Sequence, residues 1–217
     1  MTLARRLPRP LVGVALLALA ALLVLGTGLL VATLPFAPDL AIMAAVRGAG
    51  PEGLRRAAID LTALGGGTVL TLVVVAVAGL LLAQRLWLTA LVLVTSCWTG
   101  GQVVQLIKVA VGRARPDLAD RLVPVVSASF PSGHAANSAI VYLTLAALAS
   151  QVVRASAARA YLFGAAILLT GLIGASRVYL GVHWPSDVLA GWSFGAVWAI
   201  GWWWVASATR ARIGGER

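Results

Sequence analysis

Six stretches without a charged residue run through this chain of 217 residues and leave few folds open to it. Apolar residues make up 60% of the sequence and charged residues 11%, whereas about 25% of a soluble domain is charged. Each stretch is long enough to cross about 30 Å of hydrocarbon as a helix, which takes roughly 17 to 25 residues. The sequence therefore predicts an all-α fold, an integral membrane bundle of six transmembrane helices in a single domain, residues 1–217. The approximate spans are 11–34, 61–84, 86–107, 135–153, 160–176 and 188–209.

The distribution of basic residues predicts how this bundle is oriented. The first apolar stretch exceeds the roughly 7 to 15 residues of a signal-peptide core, so we expect a retained helix. Six spans then place both termini, Arg85 and the 154–159 turn on one side, which carries nine of the 17 basic residues. Three of the other eight are motif residues described below. The positive-inside rule predicts cytoplasmic termini in a bacterial inner (cytoplasmic) membrane.

Three polar islands interrupt the apolar sequence and contain both histidines and the single lysine of the chain. They are residues 108–116 (KVAVGRARP), 131–134 (PSGH) and 176–187 (SRVYLGVHWPSD). In the predicted topology all three face the extracytoplasmic side. Imidazole, ammonium, guanidinium and carboxylate groups gathered there indicate a site that holds an oxyanion and moves a proton.

The first two islands offer donors to an anion. Lys108 and Arg115 are almost two helical turns apart, so both can project from one face. A cation pair at a membrane boundary is also typical of snorkelling side chains. Ser132, Gly133 and His134 precede an apolar stretch, and a helix N-terminus there would present free N–H groups to an anion. Ser132 suits an N-cap or a hydroxyl donor, Gly133 allows close approach, and His134 is either a capping group or a catalyst.

The third island has the pattern of an oriented imidazole. Arg177 ends an apolar stretch, His183 follows in a loop, and Asp187 comes four residues later at the start of the next helix. A carboxylate at that spacing can accept the Nδ1–H bond of the imidazole and leave Nε2 unprotonated. The alternative is structural, with Asp187 capping the helix and His183 lying at the membrane interface.

The same residues argue against a metal ion and against a nucleic-acid partner. Two histidines, Asp187 and the nearby Asp117 and Asp120 could supply ligands, but three cations in the same site would repel a divalent ion. We therefore expect no metal and no cofactor. The formal net charge of +10 is spread over helix ends and forms no continuous patch, so we expect no nucleic acid partner.

The connection 35–60 and the glycines that follow it predict two local features. Leu54, Ala58 and Leu61 recur at helical spacing, which favours a short amphipathic helix on the membrane surface. The extramembrane start of the second span would give the same pattern. Residues 65–67 are all glycine; they lack the Lys and Ser/Thr of a phosphate-binding loop, so close helix packing explains them better.

Taken together, the islands resemble the three-part signature of the type 2 phosphatidic acid phosphatase superfamily, K-x6-R-P, P-S-G-H and S-R-x5-H-x3-D. The resemblance covers every signature position. It implies that His183 is the nucleophile that forms a phosphohistidine, that Asp187 orients it, and that His134 protonates the leaving group and then activates water. It also implies a set of phosphate-binding residues: Lys108, Arg115, Ser132, Gly133 and Arg177.

The signature also occurs in soluble haloperoxidases and acid phosphatases, so it implies the site but not the substrate. Six membrane spans favour metal-independent hydrolysis of a lipid-linked phosphate or diphosphate, with undecaprenyl diphosphate as the favoured substrate. Phosphatidylglycerophosphate and phosphatidic acid are alternative substrates. A lipid phosphotransferase and a non-catalytic membrane scaffold or transporter are alternative functions. The oligomeric state is left open, and Arg113→Ala, outside the signature, is expected to retain most activity.

Overall fold

The computed structural model describes residues 9–33, 37–47, 49–116, 122–123, 125, 127–151 and 153–213. Every regular element in these ranges is a helix, in agreement with the predicted all-α class. Eight helices follow one another in this part of the chain: α1 (Arg9–Thr33), α2 (Ala37–Val46), α3 (Glu52–Ala63), α4 (Gly67–Ala83), α5 (Trp87–Val111), α6 (Gly133–Ala149), α7 (Ser156–Tyr179) and α8 (Pro185–Ile213).

Helix length and composition mark three helices as able to cross a membrane within the described residues. These are Trp87–Val111, Ser156–Tyr179 and Pro185–Ser207. The pair α3 and α4 makes a fourth span if its two helices, bent by 47° at the break between them, are counted as one. With apolar helices of this length the protein is an integral membrane protein. The predicted count of six spans stays a prediction.

Residues Glu52–Ala63, at the end of the 35–60 connection and beyond it, form the helix α3, which a bend separates from α4. Its Ala58 and Thr62 are buried, while Arg55 and Arg56 are exposed. A position on the membrane surface, rather than at the start of a span, stays a prediction. The connection also contains a second helix that the pattern did not predict, α2. Both helices lie between the end of α1 and the start of α4.

The core of the bundle is built where α1, α5, α6 and α8 meet. Phe194 and Trp198 of α8 stack with ring centroids 5.1 Å apart. Val104 of α5 and Ile140 of α6 pack into the same cluster and are almost completely buried. Because α5, α6, α7 and α8 alternate in direction along the chain, the carboxyl ends of α5 and α7 meet the amino ends of α6 and α8. All three polar islands therefore lie at one end of the bundle.

Glycines allow the helices to approach closely at several crossings. At Gly65 a Cβ atom would collide with the side chain of Ile173 and lie 3.4 Å from the His134 side chain. This agrees with the packing interpretation of the glycine run. At Gly195 of α8 a Cβ atom would lie 2.7 Å from the backbone oxygen of Ala136 on α6, and a backbone atom cannot rotate away.

Gly195→Ala is expected to lower the free energy of unfolding by about 1 to 3 kcal/mol, the usual cost of overpacking a core. The measurement is thermal stability of the purified protein in detergent. Gly164→Ala is the matched control, because a Cβ atom on that α7 residue meets nothing within 4 Å. It should be neutral or stabilising by up to about 1 kcal/mol. Equal melting temperatures for the two variants would contradict the close α6–α8 packing.

Candidate active site

The fold brings the predicted site residues together at the end of the bundle. Five of them are buried at 4% exposure or less, and His134, Gly133 and Arg115 are half-buried. Such burial of charged side chains is costly unless each finds a partner. The five deeply buried residues are Lys108, Ser132, Arg177, His183 and Asp187.

The imidazole of His183 lies between Asp187 and Arg115. Its Nδ1 is 3.5 Å from Oδ2 of Asp187, and its Nε2 is 3.0 Å from Nη1 of Arg115. A guanidinium has donors and no acceptor, so this contact requires a lone pair on Nε2. The proton of the neutral ring then resides on Nδ1, facing the carboxylate. The contacts therefore assign the tautomer that the i, i+4 spacing predicts, while the 3.5 Å between Nδ1 and the carboxylate is longer than a formed hydrogen bond.

The protonation of His183 is set by its surroundings. Burial, together with the positive charges of Arg115 and Lys108, lowers the pKa of His183 to about 3, although Asp187 acts in the opposite direction. The ring is therefore neutral from mildly acidic to alkaline pH. A neutral ring has the unprotonated nitrogen that a nucleophile or a general base needs.

Arg115 and Lys108 are held by the loop that precedes α6. Arg115 donates to the backbone oxygens of Ser127 and Val182, each at 2.6 Å. Lys108 donates to the oxygen of Ala128 at 2.8 Å, and its Cε would lie 3.6 Å from a Cβ on Gly133. The two cations predicted to share one face therefore converge, and Lys108 lies beside the start of α6.

The start of α6 presents a buried hydroxyl to the site. Ser132 occupies the N-cap position, but its side chain makes no capping bond. Its backbone N–H donates to the backbone oxygen of Asp187 at 2.9 Å, which joins α6 to α8. Its Oγ has no hydrogen-bond partner among the described residues. Of the two predicted uses of Ser132, the geometry favours the hydroxyl donor.

Arg177 and His134 complete the cluster from α7 and α6. Arg177 Nη1 donates to Thr62 Oγ1 of α3 at 2.9 Å, while its buried Nε has no partner within the described part of the chain. The charges of Arg177, Arg115 and Lys108 all act on the His134 imidazole, which therefore shares their surroundings. Buried donors without partners are costly in isolation, and an anion would satisfy them.

Asp187 is held by residues that the motifs did not identify. Its Oδ1 accepts from Arg113 Nη1 at 2.6 Å. Its Oδ2 accepts from Ser129 Oγ at 2.5 Å and from the Trp184 backbone N–H at 3.0 Å. Arg113 also pairs with Asp39 of α2 at 2.8 Å. Arg113, which lies outside the signature, therefore contacts the carboxylate that faces His183. The expected activity of Arg113→Ala stays a prediction.

The sequence held a weak signal for the missed pair. Asp39 is a lone carboxylate in the apolar helix α2, and such a residue needs a partner. Arg113 lies in the first polar island, but the helical spacing argument considered only Lys108 and Arg115 there. Ser129 and Thr62 carried no such signal, because hydroxyl residues are common in membrane helices and loops.

The described residues can also be checked for a metal-binding site. Within the described ranges no group of three or more His, Cys, Asp or Glu side chains is placed to hold one. Asp117 and Asp120, which the sequence offered as extra ligands, lie outside the described residues. The absence of a metal requirement stays a prediction.

Comparison with protein families assigns this chain to a superfamily. The model described as "PAP2 superfamily" matches residues 86–211, more than half of the chain. The chain belongs to the PAP2 superfamily. The matched region contains all three polar islands, and it excludes α1 to α4 together with Asp39 and Thr62.

Named members of the superfamily are phosphatases. Phosphatidylglycerophosphatase B of Bacillus subtilis (strain 168) is 36% identical over 137 residues, 62% of this chain and 66% of that protein. Undecaprenyl-diphosphatase of Sulfolobus acidocaldarius is 40% identical over 68 residues, 31% of this chain and 29% of that protein. The chain thus spans just under two thirds of the first relative and less than one third of the second. Both relatives are phosphatases or diphosphatases by name.

A solved structure matches the fold over a longer range. The crystal structure of the transmembrane PAP2 type phosphatidylglycerolphosphate phosphatase from Bacillus subtilis superimposes with a TM-score of 0.74 at 27% identity. The match covers 94% of this chain and 97% of that one. Helices α1 to α4, beyond the family model, therefore also have counterparts in a PAP2 membrane phosphatase.

Arg113→Ala is expected to destabilise this member of the superfamily by about 3 to 5 kcal/mol, because it leaves two buried carboxylates without their shared cation. Thermal unfolding in detergent measures the effect. Arg159→Ala is the control, since Arg159 is exposed at the start of α7. An Arg113→Ala protein as stable as Arg159→Ala would show that the Asp39–Arg113–Asp187 contacts contribute little.

Proposed function

We propose that this protein removes phosphate from a membrane lipid without a metal ion, through a phosphohistidine on His183. The observation that carries the proposal is the position of the His183 ring. Its Nδ1 faces Asp187, while its Nε2 faces Arg115 in a cluster of cations. A nucleophile directed at the place where an anion would be held is the arrangement that phosphoryl transfer needs.

The charges of the cluster suit a phosphate. Its described residues comprise four cations (Lys108, Arg113, Arg115 and Arg177) and two carboxylates (Asp39 and Asp187), so two positive charges remain when both histidines are neutral. A phosphate monoester carries about two negative charges at neutral pH. Its binding would neutralise the site and give partners to Ser132 Oγ and Arg177 Nε. A divalent cation would instead add to the excess.

In the first step, Nε2 of His183 attacks phosphorus. The P–N bond forms as the bond from phosphorus to the leaving oxygen breaks. His134, which takes up a proton once the phosphate dianion offsets the charges of the surrounding cations, gives that proton to the leaving oxygen. The attacking ring gains positive charge, which the Asp187 carboxylate stabilises through Nδ1–H. Because Arg115 contacts Nε2, its guanidinium must turn from the ring to a phosphate oxygen before Nε2 can attack.

In the second step, water releases the enzyme. His134, now unprotonated, takes a proton from water as the oxygen attacks phosphorus, and the P–N bond breaks to return neutral His183 and free phosphate. Lys108, Arg115 and Arg177, with the Ser132 hydroxyl and the Gly133 amide, would hold the equatorial oxygens in both transition states. Removing one such donor costs about 2.7 to 4 kcal/mol in a well-studied oxyanion hole.

The substrate we propose to test first is phosphatidylglycerophosphate. The structural match to a phosphatidylglycerolphosphate phosphatase extends over nearly the whole of both chains, whereas the undecaprenyl-diphosphatase match covers 31% of this chain. Undecaprenyl diphosphate, which the sequence favoured, is kept as the second candidate on the strength of that match. Phosphatidic acid is the third.

The site is proposed to face the extracytoplasmic side of a bacterial inner membrane, with both termini in the cytoplasm. The support is the excess of basic residues on the termini side. At that position the phosphate can enter the cluster while the lipid tail stays in the outer leaflet. No nucleic acid is needed as a partner.

The test is phosphate release by the purified protein in detergent with EDTA, using each of the three lipids in turn. We expect release from one of them, and loss to background in His183→Ala, since removing a catalytic nucleophile has cost on the order of a millionfold in kcat elsewhere. Tyr161→Ala, an exposed residue of α7, should behave as wild type.

The alternatives have distinct outcomes in the same assay. Release that needs an added acceptor lipid would identify a phosphotransferase. Release that EDTA abolishes would contradict the metal-independent mechanism. No release from any lipid, with or without an acceptor, would favour a scaffold or transporter.

A further inference from the structure

Asp39 is a completely enclosed carboxylate that lies outside the matched family region. It is 2% exposed on α2, while the family model begins at residue 86. Its Oδ1 accepts from the Ser186 backbone N–H at 2.8 Å. Its Oδ2 accepts from Ser186 Oγ at 2.5 Å and from Arg113 Nη2 at 2.8 Å. All of its contacts come from donors, so the side chain is a carboxylate.

Arg113 lies between two such carboxylates. One guanidinium nitrogen pairs with Asp39 and the other with Asp187, and the face of the group lies 5.7 Å from the centre of the Trp184 ring. The row Asp39–Arg113–Asp187 therefore has one cation for two anions and a net charge of −1. Without Asp39 the row would be neutral, and Arg113 would act on Asp187 alone.

We propose that Asp39 is a positioning residue that sets the charge behind His183. By sharing Arg113, Asp39 leaves Asp187 with enough negative charge to stabilise the positive ring that forms when His183 attacks phosphorus. The inference rests on the proposed function, because it assigns Asp39 a part in that reaction. It gives α2 a role in the chemistry, although no α2 residue belongs to a signature motif.

Two other readings of Asp39 make different predictions. Asp39 also binds the first turn of α8 through Ser186, so a purely structural role would anchor α2 and cap α8. Such a role would change stability and leave the pH dependence of the folded enzyme as it is. The electrostatic role changes the pH dependence itself, because a buried charge acts on a nearby imidazole through a medium of low dielectric.

Other charged groups near the His183–Asp187 pair remain unchanged in the comparison below. Lys108 of α5 and Arg115 of the segment after it act on His183. Arg177 of α7 and His134 of α6 lie near those two cations.

The experiment compares kcat, KM and the pH profile of kcat/KM for wild type and Asp39→Asn. Asparagine keeps the shape, and its Oδ1 can still accept from the Ser186 N–H. Its NH2 group replaces the oxygen that accepts from Arg113, so the variant removes the charge and that hydrogen bond together. We expect kcat to fall about tenfold or more, with KM nearly unchanged; loss of the outer-shell partner of a metal-bound histidine costs about 10- to 100-fold in comparable cases. The acidic limb should move to lower pH, because removing a negative charge makes the imidazole less basic.

Two controls separate charge from folding. Asp60→Asn makes the same substitution at an exposed position of α3 and should leave kcat and the profile as in wild type. The double variant Asp39→Asn/Arg113→Gln restores the net charge of −1, so its acidic limb should return to that of wild type. If Asp39→Asn gives no folded protein, the double variant alone supplies the comparison, and a displaced limb in it overturns the proposal.

An Asp39→Asn enzyme with the wild-type kcat and profile would overturn the inference and leave the proposed function intact, provided that wild type releases phosphate and His183→Ala does not. A lower melting temperature with an unshifted profile would also overturn it, in favour of the structural role. Failure of wild type to release phosphate would instead refute the proposed function.

Discussion

Asp187 ties three parts of the chain together, because both its side chain and its backbone are used. The carboxylate accepts from Arg113, Ser129 and the Trp184 N–H and faces His183, while the backbone oxygen accepts from Ser132 at the start of α6. His183, which is the proposed nucleophile, Ser132 of the second island and Arg113 of the first are therefore placed relative to one residue. A fully buried carboxylate keeps its charge at an acceptable cost when it has this many donors.

The arrangement also explains how four cations can lie together at one end of an apolar bundle. Lys108 and Arg115 donate hydrogen bonds to backbone oxygens of residues 127, 128 and 182. Arg177 donates to the hydroxyl of Thr62. These acceptors compensate part of the desolvation of the cations and leave an excess of positive charge. Among the described residues, Ser132 Oγ and Arg177 Nε have no hydrogen-bond partner. We propose that these donors and the excess charge bind an anion, because preorganised donors are the largest source of catalysis in many enzymes.

Local sequence patterns predicted the all-α class and most of the residues that converge at the site. The remaining contacts depend on tertiary structure. Charge-free stretches predicted helices because an apolar run in a membrane has no other way to satisfy its backbone, and scarce polar residues predicted which side chains would converge. The Asp39–Arg113 pair was not predicted, because the two residues meet only when α2 packs against the start of α8. The same limit applies to Thr62, whose contact with Arg177 joins helices far apart in sequence. The break between α3 and α4 also depends on contacts, because Gly65 lies against Ile173 of α7.

The central claim is that His183 becomes covalently phosphorylated during turnover. It is tested most directly by mixing the purified enzyme with a lipid substrate, quenching the reaction rapidly at alkaline pH, where phosphohistidine survives, and mapping phosphorylated peptides by mass spectrometry. The account predicts one phosphoryl group on the peptide that contains His183, formed within the first turnover and absent when the substrate is omitted. A phosphoryl group on His134 or Ser132, or steady phosphate release with no phosphorylated peptide at any time, would contradict it.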